Sequence, residues 1–165
     1  MQKFERATFK IKAADEQANY GKFVIEPLER GFGDTLGNAL RRVLLSSLPG
    51  AAVYSLKIEG VQHEFSSISG VNEDVTAILL NLKDLILTID NEESHTLRLS
   101  EKGPKVVTAN DLELPAGVHL VNPDTVICTL SDSGVIEMEL KVKNGRGYVA
   151  QDVNKTLHKE ASLGI

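Results

Sequence analysis

The sequence predicts an α+β fold. Three observations carry this: apolar residues alternate with polar ones in short runs near the start and again after residue 95, two longer runs carry apolar residues at three- and four-residue steps, and strands do not alternate with helices beyond residue 90. The last point excludes a doubly wound parallel sheet. Of the 165 residues, 42% are hydrophobic and 25% charged, the balance of a folded globular chain and far from that of a disordered tail. This length can bury a core without disulfide or metal staples.

In chain order, Thr8 to Ala13 places Phe9 and Ile11 on one face, and Gly21 to Glu29 does the same with Phe23 and Ile25, so both segments read as strands. Pro27 has no amide hydrogen and should end the second strand or set it at an edge. A helix is predicted over Leu36 to Leu48, with Asp34 and Thr35 as capping types. Its stripe runs through Leu36, Ala39, Leu40, Val43, Leu44 and Ser47 until Pro49 and Gly50 stop it. Val53 to Glu59 and Val61 to Ser66 read as a pair of strands. A second helix is predicted from the stripe Val71, Val75, Ile78, Leu79, Leu82, Leu85 and Ile86, with Glu73 and Asp74 in a first turn where the helix dipole favours acids. From His95 the chain becomes short extended pieces parted by turn chemistry at Gly103 and Pro104, Pro115 to Gly117, Asn122 and Pro123, and Asp132 to Gly134. The clearest of these strands sets Ile136, Met138, Leu140 and Val142 on a dry face and Glu137, Glu139, Lys141 and Lys143 on a wet one. The polar stretch Gln151 to Glu160 reads as a loop.

Charge and cysteine content narrow the function classes. A formal net charge of −5 argues against a surface built mainly to hold phosphates. The single cysteine, Cys128, cannot form an internal disulfide, which suits a reducing compartment and makes the cytoplasm the expected location. Met1 to Lys12 lacks the apolar run of a signal peptide or a membrane span.

The residues that could carry chemistry offer few constellations. Gly31, Gly33 and Gly37 follow a strand and open a helix, and Glu59 lies where an acid could hold a ribose, as in a dinucleotide-binding turn. Three residues instead of two separate the second and third glycines, however, and the other reading is a tight turn with Gly37 allowing close helix packing. A nucleotide-binding enzyme using this turn is the rival function. Arg41 and Arg42 point about 100° apart on the first helix. They are either solvated arginines or the rim of an interface. His63 and Glu64, adjacent in a predicted strand, face opposite ways, which suits neither an acid–base pair nor a shared metal. His95, His119 and His158 have no ligand spacing. Cys128, inside the apolar run Val126 to Leu130, reads as a small buried side chain. Asn144 to Tyr148 has the glycine-aromatic look of an RNA-binding fragment without the longer motif, so a turn exposing Arg146 and Tyr148 is the expectation. No catalytic residue, metal or cofactor is expected.

The stretch Leu28 to Ala52, with Gly33-Asp34-Thr35-Leu36-Gly37-Asn38-Ala39-Leu40-Arg41-Arg42 at its centre, closely resembles the signature of the bacterial RNA polymerase alpha subunit family, in its N-terminal region. The similarity continues through Gly60 to Ser66, Gly70 to Val75, Leu79 to Lys83 and Gly145 to Val149. The resemblance implies a discontinuous dimerisation subdomain of strands plus a long helix, into which a strand-rich subdomain carrying one helix is inserted. The implied boundaries are 1–52 for the first part of the dimerisation subdomain, 53–149 for the insert, and 150–165 for a loop and the start of the return. It further implies a non-catalytic scaffold that dimerises and gives the beta and beta-prime subunits their docking surfaces in transcription. By the same resemblance Leu36, Leu40, Val43 and Leu44 form the dimer interface. Arg42, Leu45, His63, Glu64, Phe65 and Ser66 contact the beta subunit, and Lys83 and Val149 contact beta-prime. No direct contact with nucleic acid or membrane is implied. The family's N-terminal region continues past Ile165 through a segment that completes the dimerisation subdomain, and its separate DNA-binding domain lies further on.

Overall fold

The computed structural model describes residues 6–15, 20–158 and 163–164. The chain divides into two compact units, Met1–Leu45 and Ser46–Ile165.

In the first unit, β1 (Thr8–Asp15) and β2 (Tyr20–Glu26) form an antiparallel ribbon that pairs Phe9 with Ile25 and Ile11 with Phe23. The strand ends ahead of Pro27, as the missing amide hydrogen requires. The helix α1 (Phe32–Ser46) begins earlier than the capping residues suggested. Gly31 takes a left-handed φ of +90°, which turns the chain, and Phe32 N donates to the Glu29 carbonyl at 3.1 Å. Asp34 and Thr35 therefore lie inside the first turn, where the Thr35 amide and hydroxyl both donate to Gly31 O at 3.4 Å. The helix also stops before Leu48, since a residue preceding proline is pushed out of helical geometry and Pro49 opens the next strand.

The second unit contains, in order, β3 (Pro49–Ile58), α2 (Val75–Lys83), β4 (Leu87–Ile89), β5 (His95–Lys102), β6 (Lys105–Thr108), a 3-10 turn at Ala109–Asp111, β7 (Val118–Leu120), β8 (Val126–Leu130), β9 (Val135–Arg146), α3 (Gln151–His158) and β10 (Leu163–Gly164). Its main sheet has the order β5-β9-β3-β4-β7, with β10 also against β3, and all its pairs are antiparallel. Strands β6 and β8 make a separate two-stranded ladder. The axis is β9, paired with β3 from Pro49↔Arg146 to Ile58↔Met138 and with β5 from His95↔Val142 to Lys102↔Val135. Its alternation behaves as the sequence predicts: Ile136, Met138, Leu140 and Val142 are buried, and they share one core with Leu56, Leu97, Leu99, Val107, Ile127 and the inner face of α2, Val75, Ile78 and Leu82.

Three expectations are corrected. Val61 to Ser66 is not a strand. Gly60, at a φ of +78°, ends the extended run, and both neighbouring positions beside β3 are taken by β9 on one side and by β4 and β10 on the other. The helix α2 is shorter than the stripe. Val71 pairs with Leu130 as an isolated bridge, Asp74 is the N-cap, and Leu85 and Ile86 follow the last turn. The stretch Gln151 to Glu160 is helical over Gln151–His158, and its last two residues lie outside the described ones. The hydroxyl of Thr156 donates to the Asp152 carbonyl at 2.9 Å within that helix, and Asn154 is its buried position.

Glycines close the sheet's far end. Gly103 N donates to Gly134 O at 2.8 Å and Ser131 N to Gly70 O at 2.9 Å. A Cβ on Gly103 would strike the Ser131 carbonyl, and one on Gly134 the Gly70 carbonyl, so the three turns can meet this closely only without side chains.

Candidate docking surfaces

On α1 the apolar stripe is uncovered. Leu36 is half-buried, while Leu40, Val43 and Leu44 keep 47%, 53% and 58% of their surface; Leu45, off the stripe, keeps 65%, and no residue of the helix is buried. Arg41 and Arg42 lie on the same helix, about 100° apart and off this stripe. An amphipathic helix normally turns such a face inward, and an uncovered one marks an interaction surface.

The segment His63 to Ser66 is a hydrogen-bonded turn, so His63 and Glu64 are not the opposed strand neighbours that their sequence suggested. Ser66 N donates to His63 O at 3.3 Å, and the Ser66 hydroxyl lies 3.1 Å from His63 Nδ1. The turn is tied to the start of α2. Thr76 Oγ1 donates to Glu64 O at 2.9 Å and Val75 N to Ser66 O at 3.1 Å. Phe65, at the tip, keeps 82% of its surface. Lys83 is the last residue of α2 and so stands at the opposite end of that helix from the turn. Val149 follows β9 and precedes α3, beside Tyr148, which keeps 89% of its surface. Thr76 escaped the sequence reading because a threonine inside a helix gives no sign of a bond to a distant loop.

The remaining candidates have structural roles. Gly33 and Gly37 lie within α1, and a Cβ on either would meet open space, so Gly37 is not a point of close packing in this chain. The strands ahead of α1 form an antiparallel ribbon and not the parallel crossover that a dinucleotide site needs. Glu59 follows β3 directly and its amide donates to Glu137 O at 3.0 Å. Cys128 is fully buried, and desolvation, with the nearby Glu73 charge, pushes its thiol up to about 12, which keeps it protonated and unreactive. His95 Nε2 lies 2.9 Å from Asn91 Oδ1, and His119 Nε2 lies 3.3 Å from Asp90 Oδ2. Among the described residues no group of three or more His, Cys, Asp or Glu could hold a metal ion. Asn144 to Arg146 are the end of β9 and not a turn, and Asn144 Nδ2 donates to Ile89 O at 3.2 Å and Asn91 O at 2.7 Å. Only Gly147, at a φ of +67°, breaks the strand. A shallow hollow of about 300 Å³ on the wet face of the sheet is lined by Lys57, Arg98, Glu113, Glu137 and Glu139, with Glu59 the one candidate among its lining residues.

A protein-family model described as the RNA polymerase Rpb3/RpoA insert domain matches residues 56–165. The chain belongs to this RNA polymerase family. It is similar to the DNA-directed RNA polymerase subunit alpha of Alkaliphilus metalliredigens, with 54% identity over 156 residues, which are 94% of this chain and 50% of that protein. It is also similar to the DNA-directed RNA polymerase subunit alpha of Leuconostoc mesenteroides, with 51% identity over 155 residues, 94% of this chain and 49% of that protein. The chain thus spans about half the length of these curated relatives and corresponds to the N-terminal region of an RNA polymerase alpha subunit. Its α+β architecture is the one the family resemblance implied. Among the described residues no helix is long and apolar enough to cross a membrane.

Proposed function

We propose that the chain is a non-catalytic scaffold of DNA-directed RNA polymerase that dimerises and docks the beta and beta-prime subunits as the enzyme assembles in the cytoplasm. The observation that carries this reading is the uncovered stripe of α1 in a chain of this family. None of the leucines of this fifteen-residue helix is buried among the described residues, and an exposed apolar stripe of this kind calls for a covering surface. The dimer interface in this proposal is Leu36, Leu40, Val43 and Leu44, meeting their copies across a second alpha chain. Arg42 and Leu45, with the turn His63, Glu64, Phe65 and Ser66, take the beta subunit. Lys83 and Val149 take beta-prime. Residues 1–52 would be the first part of the dimerisation subdomain, 53–149 its strand-rich insert, and 150–165 the beginning of the return.

Arginine suits the beta contact because its planar fork binds a carboxylate or paired carbonyls while its stem packs on the leucines. In the full-length protein, Arg42→Ala should weaken capture of the beta subunit by about 2 kcal/mol or more, the cost of losing an interface anchor. The variant should remain folded, since the side chain is exposed. Capture at parental strength by the folded variant would remove Arg42 from the interface. A full-length protein that stays monomeric in light scattering would overturn the dimer.

A further inference from the structure

We infer that Asn144-Gly145 is a covalent modification site, a deamidation site that the fold holds shut through the two hydrogen bonds of the Asn144 amide. Of the asparagines in the sequence, Asn144 alone is followed by glycine. With no side chain, a glycine offers the least hindered backbone nitrogen and the widest choice of backbone angles. In the reaction the Gly145 nitrogen attacks Asn144 Cγ and gives up its proton, the Cγ–Nδ2 bond breaks, and ammonia leaves with that proton. The cyclic succinimide that remains is opened by water at either carbonyl, giving aspartate or isoaspartate.

The native geometry opposes the first step. Asn144 Nδ2 donates to Ile89 O at 3.2 Å and to Asn91 O at 2.7 Å, so both of its hydrogens are engaged. Two carbonyls can be met only by the NH2 end of the amide, which fixes the direction in which the side chain faces. The backbone is held as well, with Asn144 paired to Ala51 and Gly145 to Gly50 in the β3–β9 ladder. Turning Cγ onto the Gly145 nitrogen would break both side-chain bonds and the end of that ladder.

The product cannot close the latch again. A carboxylate only accepts, so at position 144 it would face two carbonyl oxygens with no hydrogen to give. The isoaspartate form also routes the backbone through the side-chain carbon and disturbs the register of β9. Among the described residues the ladder joins β4 to β3 at one pair, Ala51↔Leu87, so β4 and the loop after it lean on the Asn144 bonds at this edge. Opening of the edge is thus recorded in the covalent chain.

The test uses the full-length protein, kept at mildly alkaline pH both folded and in urea, with deamidation read by peptide mass spectrometry. Asn144 should convert at least about ten-fold faster in urea than in the fold, because the reaction needs the edge open. In urea, Gly145→Ala should slow that conversion about ten-fold or more. The variant should still fold, since a Cβ on Gly145 meets open space. Asn144→Asp, which makes the product directly, should lower the exchange protection of the Asp90 amide, which donates to Gly117 O at 3.0 Å. That loss should narrow below about pH 4, where a protonated carboxyl regains a donor, and should not narrow in Asn144→Ala. Equal rates in the fold and in urea would overturn the protection. Conversion in urea that is no faster at Asn144 than at the other asparagines, or that Gly145→Ala leaves unchanged, would overturn the site. Full protection of Asp90 in Asn144→Asp at neutral pH would show that the two bonds hold nothing in place and would overturn the latch.

Discussion

Asp111 shows how one carboxylate can close a turn and lock a strand at once. Its Oδ1 accepts from Lys105 Nζ at 2.7 Å, and its Oδ2 accepts from Thr108 N at 2.9 Å and Thr108 Oγ1 at 3.4 Å. Lys105 also pairs with Glu101 at 3.1 Å, so the β5–β6 turn and the 3-10 turn are joined through one ammonium. The Lys105 hydrogen bond first, and the Thr108 amide second, hold the Asp111 carboxyl below the usual carboxylate range. A carboxyl lowered on folding stabilises above its unfolded value, and that stability is lost as pH falls through the folded value. The parent should therefore lose melting temperature more steeply than Asp111→Asn as pH drops below about 4, where a free aspartate titrates. At neutral pH Asp111→Asn should be the less stable of the two, and the difference should shrink in acid. Parallel melting curves for the two proteins over the acid range would refute the assignment. Lys105, raised by the same contacts, adds stability below its ordinary value that is lost as pH rises through its raised one, while in acid the shared pair is lost with the Asp111 charge.

At the scale of elements, two adjacent acids do different work. Asp74 caps α2: its Oδ1 accepts from Ala77 N at 2.7 Å, with the residue extended at φ −75° and ψ 168°. Glu73 points elsewhere and accepts from the Thr129 amide at 2.7 Å and its hydroxyl at 3.0 Å, which closes the free edge of β8. Asp74→Ala should cost about 1 kcal/mol of stability by denaturant titration, the value of a lost side-chain cap. An unchanged midpoint would mean that the cap is replaced by water. The sequence read both acids as partners of the helix dipole, because composition shows that acids precede the helix and not what each one reaches. The same limit governs the other elements. Periodicity made α1, α2 and β9 legible, since each has a long regular apolar face and two of them enclose a core. The pairing of β3 with β9 was not legible, because the partners lie at opposite ends of the unit and the pairing leaves no local mark. Val61, His63 and Phe65 mimic a strand face, yet no partner is available and Gly60 diverts the chain. In α3 the apolar positions are few, and Val153 and Leu157 remain exposed, so no stripe announced the helix. The candidate docking residues were legible only through the family signature, since leucine and arginine at helical spacing fit a core or an interface equally well.

For the whole molecule, the deciding fact is that the buried hydrophobic core, from Val53 to Leu163, lies entirely within the unit Ser46–Ile165. Among the described residues the unit Met1–Leu45 adds none to it. The larger unit is therefore predicted to unfold as a cooperative body whether or not the N-terminal helix is intact. Leu40 and Leu82 separate the two units cleanly. Leu82 is 2% exposed on the inner face of α2, so Leu82→Asp places a carboxylate with no partner in the core, and an unpaired buried charge costs several kcal/mol against a total stability of about 5 to 15. Leu40 is 47% exposed, so Leu40→Asp adds a charge that water can reach and should leave that transition near its parental temperature. The same charge on the stripe of α1 should abolish the proposed dimer of the full-length protein, since an interface that gains an unpaired carboxylate pays its desolvation. Calorimetry and light scattering on both variants beside the parent test this. The expected pattern is a retained transition without a dimer for Leu40→Asp, and a lost transition for Leu82→Asp. Loss of all cooperative unfolding in Leu40→Asp would show that the core depends on the N-terminal unit, and a dimer that survives Leu40→Asp would move the interface away from α1.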